Sequence, residues 1–475
     1  MTIPHQIRLI AKRHKGFGSD GWLKRMDERE VFSPLHAERE IEFLKKPPSA
    51  TIWSPLNGVS FRLLIPSTVY PPREDTDLLA RRIISFGPGR GRTFLEIGCG
   101  SGAVSILAAS MGWKVSSCDI NPFAVAATKG NMAENQLDAE IKEGGVGPEE
   151  FPFTGNYDMI VWNLPYIPHC EINEVLGPME EASLIDTDRL GLGHRMLRSI
   201  ISNQLLAPKG RILTISRKDS FEDTLIFAHR VWDEIEFGDG EKLALTCFWR
   251  PYEGAEKIFV ESTGSTNDDL LMKNGIGTHI STKFQSAGRG RRDRIWNSTD
   301  SSYAGSWIVA EGGKINPGHL QLSGALAVLN VFQNEQLLLK WPNDILIGNR
   351  KLCGILAEGK SNNQFTKVVL GIGINLKKSD TNEHTDYSSL DEILETEHEE
   401  VDSSLNRELS SLLEVLPDIP PVRHSEIRIQ ILEKMRLFGI PVHNGKTYKS
   451  FGLNEHGQLV LGELAIDDGE DIEWI

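Results

Sequence analysis

The chain has 475 residues, enough for about three domains. Its 66 acidic residues outnumber the 51 lysines and arginines, for a formal charge of −15, which weighs against nucleic acid as a partner unless a local basic patch compensates. Hydrophobic residues at 40% and charged residues at 25% are ordinary for a soluble globular enzyme.

In chain order, residues 1–60 start basic, carry the Pro-rich breaks "KKPPSA" and "WSPLNG", and read as an N-terminal extension with some helix. From about residue 75 helices and short apolar strands alternate. "DTDLLARRIISFG" reads as helix, "RTFLEIGCG" as a strand entering a glycine turn, and "AVSILAASMG" as helix. "KVSSCDI" is a strand, "PFAVAATKGNMAENQL" a helix, and "YDMIVWNLPY" a strand. "GHRMLRSIISNQLLAPKG" and "RILTIS" complete the pattern as helix and strand. Such alternation predicts a doubly wound α/β sheet. "FWRPYEGAEK", residues 248–257, reads as a linker. A second pattern follows, with strands at "SWIVAE", "KLCGILAEG" and "VVLGIGINL" and helices at "HLQLSGALAVLNVF" and "LNRELSSLLEVL". The acid-rich stretch 379–404 reads as a solvated loop and helix face. The last 40 residues are short strands between polar turns, which predicts a small β-barrel.

Five cysteines, at 99, 118, 170, 247 and 353, are odd in number and share no ligand spacing such as C-x2-C. Reduced thiols in a cytoplasmic setting are expected, without a disulfide framework or a zinc site. The N-terminal stretch lacks an apolar signal core and no apolar run reaches the length of a membrane span, so no membrane association is expected.

The first chemistry lies in "FLEIGCGSGAVSILAA". Gly98, Gly100 and Gly102, with Cys99 and Ser101 between them, let backbone N–H groups approach a ligand where strand passes into helix. Asp119 ends the next strand about 20 residues on, a spacing suited to accepting hydrogen bonds from ribose hydroxyls. "VWNLPY" ends a further strand. There Asn163 can pair with a planar nitrogen group, the carbonyl of Leu164 adds an acceptor before Pro165, and Tyr166 offers a stacking face. Such a site grips an amide or exocyclic amine and aims its nitrogen at a methyl donor.

These residues resemble the S-adenosylmethionine-dependent methyltransferases of the N-P-P-Y type, especially the protein glutamine N5-methyltransferases of release factors. "STVYPPREDTDLLA", residues 67–80, is similar to the segment preceding the glycine motif in the archaeal and eukaryotic branch. The resemblance covers roughly 60–220. It implies that Gly98, Cys99, Gly100, Ser101, Gly102 and Asp119 bind S-adenosylmethionine. It also implies that Asn163, Leu164, Pro165 and Tyr166 bind the methyl acceptor, a release-factor glutamine. Leu164 replaces the first proline of the motif, which leaves the backbone less constrained there and brings in a likeness to ribosomal RNA adenine dimethyltransferases. "EIKEGGVGPEEF" lacks the acidic residue that related enzymes set against the adenine.

The second chemistry is "SAGRGRRDRIW", residues 286–296, a dense Gly/Arg run in an acidic chain. "LLLKWPNDILIGNRKLCGILAEG" follows, with Lys351 entering a strand and Gly354 leaving room for a ligand beside it. A lysine there can stabilise charge developing on a phosphoryl group and its leaving group. Trp296 reads as core, with a wall of the ligand site as the alternative.

"STGSTNDDLL", "QSAGRGRRDRIW", "KWPND", "RKLCGILAE" and "GIGINL" together resemble the biotin protein ligases, over about 258–475. The resemblance implies ATP, biotin and Mg2+, and a two-step reaction through biotinyl-5′-adenylate that ends on a lysine of a biotin carboxyl carrier protein. By position, Ser265, Thr266, Asn267, Gln285 and Gly354 fall to the biotin pocket, and Arg289, Gly290 and Arg291 to the loop over the adenylate. Asn343 and Asp344 fall near nucleotide and metal, and Asn375 against the adenine. Lys351 and Arg291 are the expected catalytic residues of this half, Asn163 and Tyr166 of the other.

The implied fold is α/β: a Rossmann-like methyltransferase sheet, then an α+β ligase domain with a small C-terminal SH3-like β-barrel. The expected boundaries are 1–60 for the extension, 61–250 for the methyltransferase, 258–436 for the ligase and 437–475 for the cap. The whole-chain expectation is a bifunctional enzyme whose partners are a biotin carboxyl carrier protein and a peptide-chain release factor, with no DNA partner. The alternatives are a ligase bearing a noncatalytic methyltransferase-like module, or one bearing an RNA adenine methyltransferase.

Overall fold

The computed structural model describes residues 47–475 except 57, 148–150, 166, 169–184, 187–190, 218–219, 222–223, 237–241, 297, 299–300, 314, 316, 363–364 and 379–385. Residues 1–46 of the expected extension, Cys170 and Tyr166 therefore lie outside the described residues.

The first described element is not helical. β1 (Ser49–Leu56) and β2 (Val59–Ile65) form an antiparallel hairpin. Its inward residues Trp53, Phe61, Leu63 and Ile65 pack in one cluster with Ile106 and Leu107 of the following domain. The Trp53 indole N–H donates to Asp77 at 2.8 Å. A boundary at residue 60 would cut this hairpin, whose alternating pattern buries one face on the helices of the following domain.

The main N-terminal sheet has seven strands. They are β3 (Thr93–Ile97), β4 (Lys114–Asp119), β5 (Glu140–Glu143), β6 (Tyr157–Asn163), β7 (Leu206–Ser216), β8 (Ala228–Glu236) and β9 (Lys242–Trp249). Their order is β8-β9-β7-β6-β3-β4-β5, parallel from β7 to β5 and antiparallel at the β8–β9–β7 edge. α1 (Glu74–Ser85), α2 (Ala103–Ser110), α3 (Pro122–Glu134) and α4 (Leu192–Ser202) accompany it. The chain runs from β3 outward to β5, then returns to β6 on the other side of β3. That reversal opens a crevice at the carboxyl ends of β3, β4 and β6, where ligands bind in sheets of this kind.

The C-terminal sheet also has seven strands. They are β10 (Lys257–Thr263), β11 (His279–Gln285), β12 (Ser302–Gly312), β13 (Leu337–Lys340), β14 (Asp344–Ile347), β15 (Arg350–Asn362) and β16 (Phe365–Asn375). The order is β10-β11-β12-β16-β15-β14-β13, antiparallel except for the first pair. α6 (Pro317–Phe332), α7 (His398–Leu413) and α8 (His424–Phe438) cover it, and the short α5 (Thr266–Leu271) stands at its ligand-facing side. The last 40 residues form two three-stranded antiparallel sheets.

The expected linker is a buried joint. Trp249 is fully buried, and its indole N–H donates to Ser410 Oγ at 3.0 Å and Glu414 Oε2 at 2.9 Å. The backbone N–H of Tyr252 donates to the same carboxylate oxygen at 3.0 Å. Arg230 on β8 donates to the carbonyl of Ser411 at 2.9 Å and reaches those of Glu414 and Pro420. Arg211 pairs with Asp418 at 2.9 Å, and Arg423 donates to the carbonyl of Trp232 at 2.9 Å. Ile419 completes an apolar cluster with Leu243, Leu245 and Trp249. The Pro- and Gly-bearing composition of 248–257 suggested a linker, but Trp249 finds its cover about 160 positions away.

Candidate functional sites

In the N-terminal half, the glycine loop between β3 and α2 is held from below. Gly98 takes φ +66°, and a Cβ there would stand 2.6 Å from the Trp162 indole nitrogen, so only glycine fits. Asp119 Oδ2 accepts from the Gly100 N–H at 2.9 Å and Oδ1 from the Asn121 N–H at 2.9 Å. The carboxylate thus ties strand β4 to the loop. Burial raises its pKa, and these N–H groups pull the other way. Beneath the loop, burial pushes the Glu96 pKa up to about 8, against the hydrogen bond from Ser105. A proton therefore stays on Glu96 near neutrality. Burial also raises Cys99 and holds Cys118 at about 12, so both remain thiols.

The cleft above these residues encloses about 1390 Å3, part of it open to solvent. Gly98, Cys99, Gly100, Ser101, Asp119, Asn163, Leu164 and Pro165 all line it. Gly102 does not: it caps α2 at φ +80°, beneath the loop. Val146 and its flanking glycines wall the side where an acidic residue is missing. Leu164 is more constrained than its replacement of a proline suggests. Its N–H donates to the carbonyl of Ile215 on β7 at 3.0 Å, a bond that a proline lacks the hydrogen to make. The side-chain oxygen of Asn163 is buried and has no hydrogen-bond partner among the described residues. Such an atom carries a desolvation cost that a ligand N–H would remove.

Sequence reasoning missed Tyr70 and Asp75 here. Both line the cleft, and Asp75 accepts a hydrogen bond from Asn163 Nδ2 at 2.9 Å. The signal was the quoted segment 67–80, which had a resemblance but no assigned residue role.

In the C-terminal half, a smaller pocket of about 480 Å3, also partly open, lies on the β12–β16–β15 face. It brings together Ser265, Thr266, Asn267, Gln285, Arg289, Gly290, Asn343, Lys351 and Gly354. Ser265 caps α5, and the Gln285 carbonyl oxygen accepts from the Thr266 N–H at 2.8 Å and its hydroxyl at 3.0 Å. Asn267 donates to Glu358 at 2.6 Å and accepts from Ser306 at 2.6 Å. Glycines floor the pocket by necessity: a Cβ on Gly371 would lie 2.5 Å from Asn267, and one on Gly373 2.6 Å from the Trp296 ring. Trp296 is not core. It is half-buried and walls the pocket, with the Lys351 ammonium 5.9 Å from its ring centroid.

Three expected residues sit beside the pocket rather than in it. Asp344 pairs with Lys351, Nζ to Oδ1, at 2.7 Å. Asn375 donates to the carbonyls of Ser388 at 3.1 Å and Lys351 at 3.4 Å. Arg291 turns toward the cap, donating to the carbonyl of Asp467 at 3.1 Å, and burial lowers its pKa. Arg292 pairs with Asp468 and Glu470, and Arg294 with Glu470. Arg289 alone of the four faces the pocket, held in two bonds by Asp268 at 2.6 and 2.7 Å and near Glu358. Asp268 and Glu358 were not foreseen. A loop arginine so placed needs carboxylate company while no phosphate is near.

For Mg2+, no cluster of three His, Cys, Asp or Glu residues occurs among the described residues. Magnesium needs few protein ligands when phosphates supply the rest, and Asp344 offers one carboxylate beside the pocket, paired here with Lys351.

Comparison with known proteins divides the chain the same way. Residues 258–375 match the biotin/lipoate A/B protein ligase family, and residues 85–171 match the family of ribosomal protein L11 methyltransferase, PrmA. The chain is 35% identical over 148 residues to the biotin–acetyl-CoA-carboxylase ligase of Mycobacterium tuberculosis, covering 28% of this chain and 53% of that one. It is 33% identical over 115 residues to the Methanocaldococcus jannaschii protein named "Putative protein N5-glutamine methyltransferase", covering 24% of this chain and 55% of that one. The match thus spans about half the length of each relative. The biotin protein ligase of Aquifex aeolicus in complex with biotin and ATP overlays on 46% of this chain and 95% of its own, at 27% identity and a TM-score of 0.35. No helix among the described residues is long and apolar enough to cross a membrane. The chain therefore joins a methyltransferase-type domain to a biotin/lipoate-ligase-type domain in one polypeptide.

Proposed function

We propose that the chain is a bifunctional enzyme that attaches biotin to a lysine of a biotin carrier protein and methylates a glutamine of a release factor. The observation that carries the ligase reading is the convergence of Lys351, Asn343 and Arg289 on a glycine-floored pocket walled by Trp296. In the first step a biotin carboxylate oxygen attacks the α-phosphorus of ATP, forming biotinyl-5′-adenylate and expelling pyrophosphate. Lys351 stabilises the charge that grows on the phosphoryl oxygens, and Arg289 offsets the repulsion between carboxylate and triphosphate. In the second step a carrier-lysine amine attacks the acyl carbon, the amide forms and AMP departs. Mg2+ held by Asp344 and the phosphates would supply further charge neutralisation. The Gly/Arg loop covers the reactive anhydride and keeps water from it.

In the other half, the glycine loop and Asp119 hold S-adenosylmethionine. Asn163 Oδ1 and the Leu164 carbonyl accept the acceptor's N–H groups. The amide nitrogen then takes the methyl group in line, the sulfonium leaves as a neutral thioether, and the nitrogen's proton passes to water. The buried Asn163 oxygen, without a hydrogen-bond partner among the described residues, supports this reading. Mass spectrometry tests both activities. The full chain is incubated with ATP, biotin, S-adenosylmethionine, a biotin carrier domain and a release factor. One biotinylated lysine and one methylated glutamine are expected. An unmodified carrier domain overturns the ligase reading, and an unmodified release factor the glutamine reading.

A further inference from the structure

The Asn163 amide has two different ends, and only one fits each side of its setting. Nδ2 donates to Asp75 Oδ2 at 2.9 Å. Asp75 is 1% exposed, and its carboxylate is pinned on the other oxygen by the Thr76 N–H at 2.6 Å and the Thr76 hydroxyl at 3.2 Å. The Tyr70 hydroxyl donates to Oδ2 at 3.4 Å. Reversing the Asn163 amide would set its oxygen against that carboxylate, acceptor to acceptor, while the NH2 end would face the cleft. The orientation seen leaves Oδ1 buried with no partner among the described residues.

We infer that Asp75 is a positioning residue for methyl transfer: it fixes Asn163 with its oxygen toward the acceptor, so the site selects a planar group that bears an N–H. Asp75 comes from the segment 67–80, 88 residues before Asn163, and α1 delivers it to the mouth of the crevice. Both Asp75 oxygens accept here, Oδ1 from Thr76 and Oδ2 from Asn163, so the carboxylate takes the NH2 end of the amide. An amide or exocyclic amine in the cleft then meets an acceptor every time, and a carbonyl-edged group meets repulsion. The inference rests on the methyltransferase reading above and adds what sets the polarity of its site.

The test uses the full chain, tritiated S-adenosylmethionine and a release factor. Asp75→Asn removes the obligatory acceptor and lets both amides turn. Its kcat for methyl transfer should fall by up to about 100-fold, as a misplaced reacting group does. Donor affinity by calorimetry and carrier biotinylation by the same chain should stay at the parent's level. Asn163→Asp added to Asp75→Asn exchanges the two side chains and restores the polarity. The carboxylate now on β6 accepts from the amide now on α1 and still presents an oxygen to the cleft. The double variant should therefore regain about tenfold or more of the lost rate. A merely structural Asp75 would lower donor binding and biotinylation together and show no rescue. Parental transfer by Asp75→Asn, or a double variant no faster than the single, overturns the inference. A parent chain that methylates nothing brings down the methyltransferase reading first and this inference with it.

Discussion

Lys351 and Asp344 form an ion pair of 2.7 Å across neighbouring strands, each about three-quarters buried. The ammonium is thus held at the pocket's edge by a charge that a phosphate can replace. Lys351→Ala should cut carrier biotinylation at least about 100-fold, the scale on which a lost electrostatic donor acts. Lys351→Arg should recover little, because a planar fork does not substitute for a point charge. Biotin transfer to a carrier domain, followed by mass, checks both.

Arg291, Arg292 and Arg294 are occupied by the cap turn at Asp467–Glu470. Arg292 and Arg294 are exposed, and pairs of that kind contribute up to about 1 kcal/mol each. Asp468→Asn with Glu470→Gln should release the loop and lower the KM for ATP a few-fold, about 3–10-fold by that scale. ATP–pyrophosphate exchange across a salt series measures it. The difference should shrink as ionic strength rises.

Gly373→Ala places a methyl group 2.6 Å from the Trp296 ring, and Gly371→Ala one 2.5 Å from Asn267. Both should raise the KM for biotin about tenfold or more, since either shift spoils the pocket wall. The methyl-transfer rate of the same variants should not change. Steady-state kinetics on both activities separates the two effects.

Acid should loosen the joint. Burial, then Arg407 and Arg230, lowers the His229 pKa to about 4, and burial, then His424, lowers His319 to about 4. Both are neutral in the fold and protonated once unfolded below their ordinary value of 6.5. Stability is therefore full above pH 6.5 and falls as pH drops toward 4, where the unfolded chain binds the extra protons. The loss is on the order of 3 kcal/mol per histidine at the acid end. Urea midpoints from pH 7.5 down to 4 would show it, and His229→Gln should flatten the curve.

Glu414→Ala leaves the Tyr252 N–H without its acceptor and the Trp249 indole with Ser410 Oγ alone. Roughly 1–3 kcal/mol per orphaned group is expected. Calorimetry of the full chain should show the loss in both halves at once, because the contact has one side in each half.

Much of the placement of the candidate residues was legible because it is local. A strand, a glycine turn and a helix must follow one another in sequence, so the spacing was enough to bring Gly98–Ser101 and Asp119 to one cleft, though not Gly102. The Gly/Arg run, Lys351 and Gly354 were readable for the same reason. What escaped depends on distant partners. Trp296 reads as core until Gly354 and Gly373 open a pocket beside it. Arg291 reads as a pocket residue until a cap turn 176 positions later claims it. Leu164 reads as a loosened proline until β7 supplies its bond. Asp75 has no role to read until Asn163 is brought to it.

Trp249 belongs to the N-terminal half and is sealed by Glu414 and Ile419 of the C-terminal half. Severing the polypeptide near residue 257 would give two fragments, each with a raw oily scar where the indole and its cover once met. Fission of the gene would thus require both daughters to evolve a new surface at the same time. A lineage carrying this fusion is held to it by a tryptophan that performs no chemistry.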